Sequence, residues 1–354
     1  MRLLITGGAG FVGSSLAFAF KKENPRTQVT VFDNLRRRGS ELNLPAFKRA
    51  GIAFAHGDIR IAGDLEDLPG NFDIVIEASA ESSVLAGLSG SPQYLTQTNL
   101  SGTLNSLEFC RKRSAGVIFL STSRVYSLEP LKKAVLRETA SRFELASDQQ
   151  AAGLSNKGIA EDFPTNLPRS LYGATKLSSE IMIQDYVDSC GLKAVINRCG
   201  VISGPGQFGK VEQGVVTLWA ANHYFKKPLA YTGFGAKGKQ VRDLLHPLDL
   251  FALIKKQLER MDAHSGEIFN VGGGRRISTS LLELTGLCRK ITGHAVPISR
   301  VPKTSPVDIP LYISNCAKVR RAFNWRPDFS VERIIQKTVQ WIKDNESSLK
   351  YIFT

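Results

Sequence analysis

The sequence predicts an α/β protein built on an open, doubly wound parallel sheet, with a smaller mixed α/β lobe toward the C-terminus. Three observations carry this reading. Apolar runs alternate with amphipathic stretches as far as Cys199, a glycine-rich turn joins the first run to the stretch after it, and the pattern loosens beyond Arg198.

The first run, LLIT, leads into the helical SSLAFAFKK. QVTVFDN, AFAHGD and IVIEAS follow as strands, with a helix near SELNLPAFKRA between the first two. This is the βαβ rhythm of a parallel sheet. It continues through helical LNSLEFCRKR, the strand GVIFLSTS, the helix ATKLSSEIMIQDYVDSC and the strand KAVINRC. Beyond Arg198, GVISGPGQFGKVEQG is rich in glycine, and RDLLHPLDLFALIKKQLER reads as a strand end followed by a helix. SLLELTGLCRKI and VERIIQKTVQWIKDN are helices among short strands. The chain therefore divides into a cofactor domain over 1–196 with about 240–265, and a substrate-binding lobe over 197–239 and 266–354. A cleft is expected between them.

At 354 residues, 42% hydrophobic and 22% charged, the composition is that of a globular chain, and disorder is not expected. No apolar stretch reaches the ~18 residues of a membrane span, so a soluble, unprocessed, cytoplasmic protein with no membrane partner is expected. Cys110, Cys190, Cys199, Cys288 and Cys316 are far apart and lack CxxC spacing, which reads as reduced core thiols. The histidines are equally scattered, so no metal site is expected. A net charge of +14 implies affinity for anions. The basic residues fall in short groups such as Lys21-Lys22, Arg36 to Arg38 and Arg111 to Arg113, without interleaved aromatics. A nucleic-acid partner is therefore not expected.

TGGAGFVGS sets Gly7, Gly10 and Gly13 directly after a strand and at the start of a helix. Glycines there allow a tight turn and let a pyrophosphate approach the N–H groups and dipole of the helix N-terminus, as in Rossmann-type dinucleotide sites. Asp33 follows at the end of the next strand, where a carboxylate accepts the adenosine ribose hydroxyl. Its charge repels a ribose phosphate and favours NAD over NADP, although Arg36 to Arg38 could screen one. Asp58 and Ile59, in HGDIR, fall where an adenine-edge contact is expected.

Tyr172 and Lys176, in YGATK, lie four apart on one helix face. A phenol ordinarily titrates near pH 10, so half-ionising it near neutrality takes about 4 kcal/mol, which a neighbouring ammonium and an oxidised nicotinamide can supply. Thr122 ends the strand in FLSTSRVY, at the sheet edge where such folds bind ligands, and can bond a reacting oxygen. Ser123 is the adjacent substrate candidate.

TGGAGFVG, DNLRRRG, HGDIR, TNLSGT, FLSTSRVY, YGATK, GKQVRDLLHPLD and NVGGG occur in this order over nearly the whole chain. In this the sequence resembles the extended short-chain dehydrogenase/reductase family of NAD-dependent epimerases and dehydratases. Arg124 before VY, the long segment RETASRFELASDQQAAGLSNKGIAEDF, and GPGQFGKVEQG resemble the branch that inverts carbon 2 of CDP-deoxyhexoses of the paratose and tyvelose type. Such enzymes serve polysaccharide or lipopolysaccharide biosynthesis.

The resemblance implies that Tyr172 removes the sugar hydroxyl proton while hydride passes to NAD and returns to the other face. Thr122 would bind the reacting oxygen, and Lys176 the nicotinamide ribose. Phe11, Val12, Asn34, Arg36, Ala78, Ala80, Asn99 and Ser121 are implied as further cofactor-binding residues. Gln207, Phe208, Gln213, Lys239 and Arg242 would bind a nucleotide-diphosphate sugar, with Lys303 where the family generally has an arginine. Asn270 with Gly272 to Gly274 would form a turn, either lining the cleft or purely structural. Ser127 stands where glycine is common, and Glu81 is an unexpected acid in SAES. A homodimer is implied through LNSLEFCRKR and ATKLSSEIMIQDY.

A UDP-hexose 4-epimerase would use the same tyrosine, lysine and hydroxyl, so only substrate-lobe residues separate it. A 4,6-dehydratase needs an Asp-Glu pair after Thr122, where this chain has Ser123 and Arg124. A non-catalytic NAD- or RNA-binding member of the fold is the alternative outside enzymes, and the intact Tyr172-Lys176 pair argues against it.

Overall fold

The computed structural model describes residues 1–88, 91–208 and 214–353. Its long strands fall on the apolar runs: β1 (Arg2–Thr6), β2 (Gln28–Asp33), β3 (Ala53–His56), β4 (Ile74–Glu77), β5 (Gly116–Thr122), β6 (Ala194–Cys199) and β7 (Ile268–Val271). They form one sheet in the order β7-β6-β5-β4-β1-β2-β3, parallel throughout. Every residue of β6 is buried, as both faces of a parallel sheet under crossover helices must be. The helices α1 (Phe11–Glu23), α2 (Gly102–Arg113) and α3 (Leu171–Cys190) belong to these crossovers. Leu4, Val75, Val117, Phe119 and Ile196 from the strands meet Leu107 of α2 and Ile183 of α3 in one apolar core.

The strand order reverses at β1, which pairs with β2 on one side and β4 on the other. In open parallel sheets that switch point opens the crevice in which ligands bind, beyond the C-terminal strand ends. The glycine turn after β1 and the Ala78–Ala80 segment after β4 both lie there.

Backbone packing divides the chain into two compact units, Met1–Val125 with Ser170–Arg198 and Leu250–Phe269, and Tyr126–Arg169 with Cys199–Asp249 and Asn270–Thr354. The segments 126–169 and 240–249 thus pack with the second unit, whereas the sequence reading grouped them with the cofactor domain. The reason is apolar burial. Leu136, Phe143 and Leu145, from two short paired strands, pack on Val241, Leu311 and Ile313, and Ile159 donates its N–H to Ile313 O at 2.8 Å.

The second unit has a small sheet of Val201–Ile202, Val241–Leu245, Ser278–Ser280 and Leu311–Tyr312. Three helices, Val215–Tyr224, Leu281–Thr292 and Val331–Asp344, close over Trp219, Leu284, Ile334, Ile335 and Ile342. Ser280 and Ser330 cap the last two by accepting backbone N–H groups that the first helical turn leaves unpaired. Four cysteines are buried thiols as expected, but Cys190, at the solvent-facing end of α3, is exposed. Among the described residues, no helix is long and apolar enough to cross a membrane.

Candidate active site

The glycine turn is required by space. Gly7 sits at φ +62°, and a Cβ on it would lie 2.7 Å from the Ser79 backbone. One on Gly13 would lie 2.4 Å from Gly7 O. The turn closes through Gly10 N–H to Gly7 O at 3.1 Å, and Gly10 caps α1 without a side-chain bond. This leaves an N-terminal cradle of backbone donors, with Phe11 and Val12 half-buried in the first turn, that fits the pyrophosphate of a dinucleotide. Gly13→Ala is expected to destabilise the chain by about 1–3 kcal/mol through overpacking and to weaken NAD binding at least about tenfold. Urea unfolding and calorimetric NAD titration check both.

Asp33 leaves β2 with both carboxylate oxygens on backbone donors, Oδ2 on Ala9 N–H at 3.0 Å and Oδ1 on Leu35 N–H at 2.8 Å. Burial raises its carboxyl above the usual range, and those N–H groups oppose the rise. Asp33 therefore ties the glycine turn to the next strand, with the Gly10 N–H also facing its carboxylate. Asp58 accepts from Asn34 Nδ2 at 2.9 Å and from Arg60 Nη2 at 2.6 Å, and the guanidinium holds it well below the usual carboxylate range. Ile59 is a core side chain, so what it offers a ligand is backbone. Arg36 lies over the Tyr94 ring at 4.0 Å, and Arg60 approaches the same ring at 4.8 Å. Arg60 and Tyr94 were not singled out from the sequence; the DIR spacing of Asp58 and Arg60 was a usable signal, and Tyr94 carried none.

The helix α3 begins at Ser170, whose hydroxyl accepts Gly173 N–H at 3.1 Å. This makes Tyr172 the second helical residue, at the positive end of the helix dipole, which favours a phenolate. Tyr172 is 9% exposed and Lys176 1%, and the Lys176 ammonium lies 3.8 Å from the Phe119 ring centroid on β5. Two residues on, Ser121 donates its hydroxyl to Glu180 of α3, and Glu180 pairs with Arg198 of β6 at 2.7 Å. The Ser121 side chain thus docks helix to strand, which leaves its backbone for the implied cofactor contact. Thr122 is buried, accepts Arg124 N–H at 3.2 Å through Oγ1, and keeps its own proton to donate; Ser123 beside it is half-buried.

Asn99 stands in a π-helical turn, Gln97–Ser101, a form frequent at functional sites. Its amide clamps the Glu81 backbone in both directions, Oδ1 accepting Glu81 N–H at 2.8 Å and Nδ2 donating to Glu81 O at 3.0 Å, and Nδ2 also reaches Thr175 Oγ1 at 3.2 Å. Asn99 therefore joins the loop carrying Ala80 to α3. The unexpected acid Glu81 closes its own turn by accepting Ser83 N–H at 3.1 Å. Ala78 donates its N–H to Thr6 O at 3.1 Å and so holds the end of β4 against the glycine turn.

In the second unit the expected substrate cations already carry partners. Arg242 bonds Asp308 and Ile309 O, each at 2.8 Å, and Lys239 bonds Glu138 at 2.8 Å and Thr139 O at 2.6 Å. Gln207 bonds Ile202 O and Thr217, and Phe208 packs edge-on against Trp341. Lys303 is exposed, and Gln213 lies outside the described residues.

The NVGGG turn is tightly held: Asn270 bonds Tyr126, Ile159 and Glu161, and a Cβ on Gly272 would lie 2.2 Å from the buried Asp243 carboxylate. Burial pushes Asp243 up to about 6, against the Gly274 and Ser314 N–H groups that it accepts. A carboxyl raised on folding gives stability that is full below its unfolded value and lost as pH climbs through its folded one. Unfolding free energy should therefore fall by about 2–3 kcal/mol between pH ~4 and ~6 on account of Asp243. Urea midpoints across that range should lose this component in Asp243→Asn.

A model described as the NAD dependent epimerase/dehydratase family matches residues 3–272. The chain is similar to a CDP-paratose 2-epimerase of Salmonella typhi, 31% identical over 353 residues covering 96% of this chain and 99% of the relative. It is 29% identical to a dTDP-glucose 4,6-dehydratase of Mycobacterium tuberculosis over 358 residues, 98% of this chain and 95% of the relative. A UDP-glucose 4-epimerase of Thermus thermophilus, solved in complex with NAD, matches with a TM-score of 0.74 and 26% identity, covering 97% of this chain and 99% of the other.

Proposed function

The chain belongs to the NAD dependent epimerase/dehydratase family and is an NAD-dependent enzyme of nucleotide-sugar chemistry, and we propose that within it the protein inverts carbon 2 of a CDP-linked deoxyhexose. The buried Tyr172-Lys176 pair at the N-terminus of α3 carries the chemistry of this reading. The choice of sugar carbon rests on the Salmonella typhi relative, whose match spans nearly all of both chains.

Tyr172 takes the hydroxyl proton at carbon 2, helped by the Lys176 ammonium and the helix end. Thr122 donates a hydrogen bond to the oxygen that becomes a carbonyl. The turn Gly7 to Gly13 with Asp33 and Asp58 would hold NAD, which would supply reversible hydride-accepting chemistry at carbon 2. Arg242 and Lys239 bind the diphosphate after exchanging Asp308 and Glu138 for it, with Gln207, Phe208, Gln213, Ser123 and Lys303 around the sugar and base. The enzyme works in the cytoplasm as a homodimer, and sedimentation tests the second part. A 4,6-dehydratase is disfavoured because Ser123 and Arg124 replace the acid pair that elimination of water requires.

The test is incubation with CDP-, UDP-, GDP- and dTDP-linked sugars in heavy water, read by NMR. Inversion at carbon 2 of a CDP-deoxyhexose without deuterium uptake is expected. Inversion at carbon 4 would replace this reading with a UDP-hexose 4-epimerase, and turnover of none would replace it with a binding role.

A further inference from the structure

Beneath the proposed catalytic pair, at the end of β4, lies a second buried ionisable group that the reaction does not use. Glu77 is 1% exposed, its Oε1 lies 2.5 Å from Thr103 Oγ1, and its Oε2 has no hydrogen-bond partner. It pairs across the sheet with Phe119 on one side and Thr6 on the other. Phe119 carries the Lys176 ammonium on its ring, and the Thr6 hydroxyl is also buried without a partner.

The protons around Glu77 can be counted. Thr103 Oγ1 lies 2.8 Å from Asn99 O and 3.3 Å from Ser179 Oγ, which itself lies 2.9 Å from Asn99 O and 3.0 Å from Thr175 O. The two carbonyls only accept. With Glu77 ionised, Thr103 must turn its proton from Asn99 O to the carboxylate, and the neighbouring Ser106 hydroxyl is at most a weak second donor to a charge buried from water, which is costly. With Glu77 protonated, its own proton goes to Thr103, Thr103 donates to Asn99 O and Ser179 to Thr175 O. The three protons then serve Thr103, Asn99 O and Thr175 O in turn, and the orphan oxygen is neutral.

We infer that Glu77 is a positioning residue, kept as a neutral carboxylic acid in the working enzyme so that the charge of Lys176 acts on Tyr172 undiminished. The inference rests on the role proposed above for that pair. Burial raises the Glu77 carboxyl, and Lys176 opposes the rise. The titratable groups facing Glu77 are Lys176 from α3 and Cys110 from α2, whose thiol burial keeps neutral; Thr6, Thr103, Ser106 and Phe119 around it carry no charge. Ionised at high pH, Glu77 would neutralise part of the Lys176 field and make the Tyr172 phenolate harder to form.

Infrared spectroscopy of the intact protein tests this without turnover. Near neutral pH, wild type minus Glu77→Gln should show the C=O stretch of a protonated carboxylic acid. Labelling with 13C-glutamate should shift that band in wild type, separating it from Asp243 and needing no variant. The pH profile of turnover should lose its descending alkaline limb in Glu77→Gln. Absence of a glutamic-acid band near neutral pH, or an unchanged alkaline limb in Glu77→Gln, would overturn the inference. Because the band does not depend on substrate, its presence in a protein that turns over no nucleotide sugar would count against the proposed function alone.

Discussion

Tyr172→Phe is expected to lower turnover by about 100- to 10,000-fold, the range that a positioned general acid-base group contributes, while NAD stays bound. The phenol must lose its proton to act, and it titrates near pH 10 when nothing assists it. Three features of the chain assist it: its place as the second residue of α3, the ammonium one turn further on, and the burial that keeps water from screening either. Lys176 is held by the Phe119 ring, so removing the hydroxyl leaves the ammonium in place. Phenylalanine preserves the ring volume, and folding should be nearly unaffected. Single-turnover NMR gives the rate and calorimetry the NAD affinity. A variant that still epimerises within tenfold of wild type would remove Tyr172 from the chemistry, and one that no longer binds NAD would assign it to cofactor binding instead.

Much of the first unit was legible because its requirements are local. A Cβ at Gly7 or Gly13 meets backbone within a few residues of the turn or on the adjoining strand, and Tyr172 and Lys176 share a face on helical spacing alone. Apolar runs marked the sheet strands for the same reason: a strand buried on both faces has no polar side to show. Side-chain commitments were not legible, because they join residues far apart in the chain. Arg242 reads as a free cation for a diphosphate until Asp308, 66 residues later, is seen to hold it. Asn99 reads as a residue on the cofactor side of the cleft, and nothing in the sequence shows that its amide also clamps Glu81. The grouping of 126–169 with the second unit was hidden likewise, since Leu136, Phe143 and Leu145 look equally apolar whichever surface they bury against.

Breaking the pair Glu180-Arg198 should give the largest loss of stability, about 3–5 kcal/mol for Glu180→Gln, read as a fall in the urea midpoint. Both side chains are nearly dry, 1% and 5% exposed, and the guanidinium meets the carboxylate through Nη2 at 2.7 Å and Nε at 3.0 Å. Removing the negative partner leaves Arg198 charged, buried and uncompensated, which costs far more than the pair contributed. Replacing both residues with methionine should therefore recover most of the loss, because neither charge then needs solvation. A loss below ~1 kcal/mol in Glu180→Gln would show that water reaches the pair. The same variant should slow turnover, because the Glu180 carboxylate also accepts the Ser121 hydroxyl and so fixes α3 against the strand end that presents Thr122. A stability loss recovered by the double methionine variant, with turnover still reduced, would separate docking of the helix from neutralisation of the charge.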